Sequence, residues 1–209
     1  MGQVEIGYAE HCFHGVPPCG DGLITAHHQG ITRMMLVDGI GHGLHANGIL
    51  VLLQQQFRWI CERSKPWAGI DKCLLELHLL LLKEQKGYQA AVAMLDVNAN
   101  TWQISALCVG NIKVHQVSSG LVLSVPCLNG MVGGQLPQRL PLSGLRWDAD
   151  SFLALHSDGI RTRELLPYLQ TVVGFSSRTD LEAQTIADTI IDRFSTNNDD
   201  ASCVVLLQR

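Results

Sequence analysis

Residues 33–47 read RMMLVDGIGHGLHAN: an apolar run ending on a carboxylate, three glycines at alternate positions, then a helix-forming stretch. Glycines between a strand and a helix often form a loop that cradles phosphate, and 41–46, GHGLHA, fits the G-x-G-x-x-A dinucleotide pattern. Two features oppose that reading. Asp38 would face a pyrophosphate with no cation between them. The acid expected about 20 residues further on falls on Glu62, inside a helical pattern over 43–63 with apolar residues at Ile49, Leu52, Leu53, Phe57 and Ile60. The rest of the chain decides between a doubly wound nucleotide fold and another architecture.

Working outward, residues 4–12 and 23–28 read as strands around a Pro- and Gly-rich loop, HGVPPCGDG, and 31–37 is an apolar run of buried-strand type. Two helices are predicted at 43–63 and 70–85, the second with Asp71 in its first turn and Gly87 after its end. A hairpin follows from YQAAVAMLDV and TWQISALCVG about an NAN turn, then a second turning at 118–120. Residues 126–145, rich in Gly and Pro, are expected to form a long surface loop. Residues 152–156 read as a buried strand, 162–169 and 179–193 as helices, and 201–207 as a closing strand. This order is α+β and lacks the alternation of a doubly wound sheet; antiparallel sheets with helices packed outside fit it.

Composition narrows the function classes. A length of 209 residues suits one domain over 1–209. Charged residues make up 16%, against about 25% in an average soluble domain, which favours a thickly covered core. A net charge of −4 leaves no basic footprint, so nucleic acid is not an expected partner. The amino terminus has neither the basic nor the apolar region of a signal peptide. Apolar runs such as 79–82 fall far short of the roughly 18 residues of a membrane span, and a cytoplasmic protein without a membrane partner is expected. The seven cysteines (12, 19, 61, 73, 108, 127 and 203) contain no CxxC, and buried free thiols in a reducing compartment are expected. HCFHGVPPC at 11–19 invites a zinc reading, but its spacing matches no common framework. HSD at 156–158 has triad residue types, which cannot form the relay as neighbours in sequence.

What remains is acidic. Asp21 in CGDG, Asp38 in LVDGIGHG, Asp158 in LHSDGI, and Asp199 with Asp200 in NNDDAS each stand at the edge of an apolar strand beside small residues. One Asp-Gly is an ordinary turn. Several carboxylates at buried strand ends need hydrogen bonds, basic partners or cations, and no basic residue lies close in sequence to Asp21 or Asp38. Hard divalent ions such as Mg²⁺ and Mn²⁺ suit carboxylate oxygens.

GDG at 20–22, DGIGHG at 38–43, VGN at 109–111, SDGI at 157–160 and DDAS at 199–202 together resemble the metal-dependent protein phosphatase (PPM) superfamily in its SpoIIE-like branch, and within it the stand-alone RsbX-type phosphatases of stressosome and partner-switching systems. The resemblance implies a four-layer α-β-β-α sandwich, with a central pair of mainly antiparallel sheets and a site for two Mn²⁺ or Mg²⁺ ions. It implies that Asp38 bridges both ions, that Asp21 and the Gly39 carbonyl serve one, and that Asp158 and Asp199 serve the other, with Asp200 ranked second to Asp199. The implied activity is hydrolysis of phosphoserine or phosphothreonine on a regulatory protein, a STAS-domain antagonist or stressosome scaffold, by a metal-activated water. Where many eukaryotic relatives carry a histidine after the Asp-Gly pair this chain has Ile40; His42 is the candidate proton donor. The phosphate-binding arginine of the eukaryotic branch has no clear match near the amino terminus. A PPM-fold scaffold without turnover is the alternative that keeps the fold.

Overall fold

The computed structural model describes residues 2–63, 66–84, 86–172 and 182–209; the predicted last position of the second helix, 85, and the first positions of the last, 179–181, lie outside them. β1 (Val4–His11) and a short 3-10 turn (Phe13–Gly15) lead into the hairpin of β2 (Asp21–His28) and β3 (Ile31–Gly39). Helices α1 (Gly43–Arg63) and α2 (Ile70–Lys83) follow. Then come β4 (Ala90–Asn98), β5 (Gln103–Val109), β6 (Lys113–Ser118), β7 (Leu121–Ser124), β8 (Ser143–Arg146) and β9 (Ser151–His156). Helices α3 (Thr162–Val172) and α4 (Ala183–Phe194) precede the closing strand β10 (Ala201–Gln208).

The strands form two five-stranded sheets, ordered β1-β10-β9-β6-β7 and β2-β3-β4-β5-β8, and neighbouring strands are antiparallel throughout. That removes the dinucleotide reading: β3 is flanked by antiparallel β2 and β4, so no βαβ unit surrounds the GHG segment, and Glu62 lies within α1.

Alternate side chains explain the layers. On β3, Met34 and Leu36 join a core between the sheets with Ala91, Ala93, Leu95, Leu153, Leu155, Val204 and Leu206. Met35 and Val37 point the other way, onto Ile49, Leu53 and Phe57 of α1 and Leu74 and Leu77 of α2. On the outer face of the other sheet, Phe152, Ala154, Cys203 and Val205 pack on Leu165 and Leu169 of α3 and Ile186 and Ile190 of α4. The result is the expected α-β-β-α order. Because both faces of both sheets are covered, the central strands read as continuous apolar runs although they are antiparallel.

Residues 126–145 depart from expectation. Val132 is fully buried and bridges Ala90, Leu128 bridges Val109, and Ser143–Arg146 adds an edge strand to β5. The segment is anchored over α2, where the Gly133 N–H donates to His78 Nδ1 at 3.0 Å. Gly-rich composition signalled the turns but not the anchoring Val132.

The cysteine expectation is corrected for one pair. Cys12 and Cys19 form a disulfide with Cα atoms 4.9 Å apart, because the 3-10 turn after Cys12 folds the chain back on itself. Cys61, Cys73, Cys108, Cys127 and Cys203 are free, four of them buried. No described helix is long and apolar enough to cross a membrane.

Candidate metal centre

The β2–β3 hairpin turns on Gln29 and Gly30, with φ of +47° and +78°, the paired positive angles of a two-residue type I′ turn. Counting back from so tight a turn fixes the register, and it sets Asp21 directly opposite Asp38. Like charges facing each other across a ladder are destabilising. Asp21 is 2% exposed. β9 ends at His156, one residue before Ser157-Asp158, and β10 begins just after Asp199-Asp200. Strand ends from both sheets therefore deliver Asp21, Asp38, Asp158 and Asp199 to one end of the sandwich.

Small polar side chains hold these carboxylates. Ser202 Oγ donates to Asp21 Oδ2 at 2.8 Å, and Ser202 N–H donates to Ser157 Oγ at 2.9 Å, joining the start of β10 to the end of β9. Asn111 Nδ2 donates to Asp158 Oδ2 at 2.6 Å. Ser157, Ser202 and Asn111 lay within motifs quoted from the sequence, but uncharged residues gave no signal of what they hold. Arg161, three residues after Asp158, is spent elsewhere: its guanidinium donates to the Arg193 and Ser195 carbonyls at the end of α4 and to Glu164.

Burial and the crowding of like charges dominate the electrostatics. Burial, then the charges of Asp21, Asp158 and Asp199, push the Asp38 carboxyl up to about 9. Burial raises Asp21 to about 7 against the opposing hydrogen bonds from Ser157 and Ser202. Asp199 is also raised, chiefly by burial, with nearby His42 pulling the other way. Among the described residues, Asp38 Oδ2 is the one buried side-chain oxygen or nitrogen without a hydrogen-bond partner. An orphaned carboxylate oxygen among further carboxylates is the donor set hard divalent cations require. Asp38 and Asp158 approach closely enough for their carboxyls to interact directly, while no three of these carboxylates lie within 4.8 Å of one another.

Asp199 and Asp200 separate cleanly. Asp200 is 3% exposed, and both its oxygens are engaged, by Phe13 N–H at 2.7 Å and Gly20 N–H at 2.7 Å. Asp199 is partly exposed and, among the described residues, accepts the N–H of Asp200 alone. Gly39 is buried, and a Cβ there would sit 2.9 Å from the Ala46 carbonyl oxygen, so only glycine lets β3 end against α1. Gly41 and Gly43 adopt φ of +87° and +67°, which side-chain-bearing residues rarely take. The alternating glycines serve this reversal from strand to helix. His42 between them is exposed and stacks on Phe13, ring centroids 4.1 Å apart. At the zinc candidate, Glu10, Cys12 and Cys19 lie within 4.8 Å of one another, but the two sulfurs are bonded to each other.

Replacing Asn111 with alanine is expected to free the Asp158 carboxylate and weaken divalent-ion binding by roughly tenfold, the usual size of an effect on residues that orient ligands. Calorimetric titration with Mn²⁺ measures it; unchanged affinity would remove Asn111 from that role.

A two-sheet sandwich covered by helix pairs, with aspartates from both sheets gathered at one end, defines the PP2C-type phosphatase fold. The chain belongs to the SpoIIE family: the family model described as stage II sporulation protein E matches residues 28–209. The match begins after Asp21, which the hairpin register joins to the site. Among solved structures, the chain is similar to RsbX in complex with magnesium (16% identity, all of both chains, TM-score 0.78). It is similar also to the PP2C phosphatase domain of the cell-fate determinant SpoIIE from Bacillus subtilis, with 18% identity, 98% of this chain, 63% of that chain and a TM-score of 0.80. A protein described in connection with the bacterial stressosome shares 22% identity over 98% of this chain and 99% of its own, with a TM-score of 0.75. At these identities the likeness is one of fold. No curated protein matches the chain by sequence.

Proposed function

We propose that this chain is a metal-dependent protein serine/threonine phosphatase, acting in the cytoplasm on a phosphorylated regulatory protein. The observation that carries the reading is the facing pair Asp21 and Asp38 with the orphaned Asp38 Oδ2, an arrangement that is unfavourable unless cations complete it. In this reading Asp38, with Asp21 and the Gly39 carbonyl on one side and Asp158 and Asp199 on the other, would hold two Mn²⁺ or Mg²⁺ ions. Asp200, its two oxygens held by backbone N–H groups, supports the neighbouring ligands from behind. Bound there, the ions would lower the pKa of a water and offset the charge of the phosphoryl oxygens.

The chain's own residues supply position and proton handling. Ser157 and Ser202 fix Asp21, and Asn111 fixes Asp158. His42, held against Phe13 and close enough to Asp199 to affect its protonation, is the group we assign to hand a proton to the departing seryl or threonyl oxygen. The likeness to RsbX and to a stressosome-associated protein supports a STAS-domain antagonist or stressosome scaffold protein as the partner.

The test is release of phosphate from a phosphoserine-bearing STAS-domain protein, with Mn²⁺, with Mg²⁺ and with chelator. Metal-dependent release is the expected result. Binding of the partner without release under either metal would establish the scaffold reading in its place.

A further inference from the structure

The loop between β1 and β2 is closed by the Cys12–Cys19 disulfide, and the residue after each cysteine does one task. Phe13 N–H and Gly20 N–H each donate, at 2.7 Å, to a different oxygen of the Asp200 carboxylate. The bond between the sulfurs thus holds together the two halves of a clamp on a buried acid. Gly20 immediately precedes Asp21, and Asp200 immediately follows Asp199, so the clamp joins the two sides of the carboxylate cluster. Phe13 carries His42 on its ring, and Asn47 Nδ2 donates to the Cys19 carbonyl at 2.9 Å, tying the loop to α1 as well.

We propose that Cys12 and Cys19 are a reversible redox modification site, whose oxidation closes the clamp on Asp200 and tightens the metal centre. Cys19 is 6% exposed and Cys12 partly exposed, so Cys12 is the sulfur a reagent reaches. In the reduced protein, Cys12 attacks a low-molecular-weight disulfide and displaces one thiol. Cys19 then attacks the Cys12 sulfur and displaces the second. The protein gives up two electrons and two protons, which leave as two small-molecule thiols; a dithiol reductant reverses both steps. Closing so short a loop favours the ordered over the open arrangement by roughly ten- to a hundredfold through chain entropy. When the bond is broken, the Phe13 and Gly20 amides no longer move as a unit, and Asp200 is released toward the other carboxylates. The consequence for metal binding rests on the function proposed above; the clamp itself does not.

The experiment compares full-length protein equilibrated with oxidised glutathione against protein reduced with a phosphine. Thiol counting and hydrogen exchange are read on the metal-free protein, and Mn²⁺ binding by calorimetry. Expected are a loss of two thiols on oxidation, exchange of the Phe13 and Gly20 amides faster by roughly tenfold or more after reduction, and Mn²⁺ affinity lower by a similar factor. Cys12→Ser should behave as the reduced protein whatever the glutathione state. Cys127→Ser, which disrupts the other close thiol pair, Cys108 and Cys127, should keep the full response. Equal protection of both amides in the two states would overturn the proposal, as would a response abolished by Cys127→Ser and retained by Cys12→Ser. If neither form bound Mn²⁺ while the amides still responded, the metal centre would be lost and the redox clamp would stand.

Discussion

Asp38→Asn is expected to abolish metal-dependent phosphate release and at the same time to make the metal-free protein more stable. The two effects share one cause. Asp38 lies opposite Asp21 in the β2–β3 register, has a buried oxygen without a partner, and is pushed up to about 9 by burial and by the surrounding carboxylates. A carboxyl raised in the fold above its unfolded value near 4 favours the fold while it stays protonated. That contribution is complete below about pH 4 and is lost as pH rises through about 7 for Asp21 and about 9 for Asp38. The melting temperature of the metal-free wild type should therefore fall as pH rises from about 5 to about 9. Asparagine keeps the shape, removes the charge, and offers an N–H₂ group to the neighbouring carboxylates. It should be more stable than wild type by about 1–3 kcal/mol at pH 8 and show a flatter profile. Mn²⁺ should raise the melting temperature of wild type, more so at higher pH because binding displaces protons, and leave the variant unmoved. Activity should drop by roughly a thousandfold or more, the scale of several kcal/mol of charge stabilisation. Thermal unfolding across this pH range, with and without Mn²⁺, decides the matter. A metal-free variant less stable than wild type at pH 8 would mean that Asp38 is held by interactions other than a cation.

The same conflict between charge and burial is why Asp38 was legible in the sequence as a candidate ligand. A charge at the end of LV, followed by glycines, contradicts the local logic of a buried strand, and such contradictions concentrate where chemistry is done. Asp21 was legible for the same reason, although its strand begins two residues earlier than the apolar pattern suggests, since Asp21 and Gly22 carry no hydrophobic signal. The order of the two adjacent acids could be ranked but not explained: whether Asp199 or Asp200 is clamped depends on Phe13 and Gly20, about 180 residues away in sequence. Asn111, Ser157 and Ser202 act by single hydrogen bonds across strands that only the sheet topology brings together, and neither periodicity nor charge pattern records such contacts. The disulfide escaped for a related reason. Cys12 and Cys19 stand seven residues apart around two prolines, and their approach is set by the 3-10 turn, not by a recognisable spacing. The layered core, by contrast, was readable, because a strand buried on both faces can contain little that is polar.

Arg33 is a charged exception within that core, and it carries the second large prediction. It lies on the helix-facing side of β3, 2% exposed, directly across the ladder from Asp96. Its Nε and Nη2 donate to the two Asp96 oxygens at 2.7 and 2.6 Å, and Nη2 donates also to the Ala68 carbonyl at 2.7 Å. The guanidinium carbon stands 4.8 Å from the centre of the Trp67 ring. The pair thus fastens β3 and β4 to the segment joining α1 and α2. Removing one partner of a buried pair leaves a charge without compensation, at a cost of about 3–5 kcal/mol. Asp96 is 22% exposed, so water reaches part of the vacated space and the lower end applies to Asp96→Ala: about 3 kcal/mol, or roughly 6–12 °C in melting temperature for a chain of this size. Arg33→Met combined with Asp96→Leu removes both charges and should recover most of the loss, because the desolvation of the guanidinium no longer has to be offset. Arg33 and Asp38 are five residues apart on one strand, roughly 17 Å, so phosphate release per folded molecule should be unchanged in either variant. Denaturant unfolding of the single and double variants, with activity measured on the folded fraction, provides the check. A double variant as unstable as Asp96→Ala would show that the stabilisation lies in packing around residue 96 and not in the ion pair.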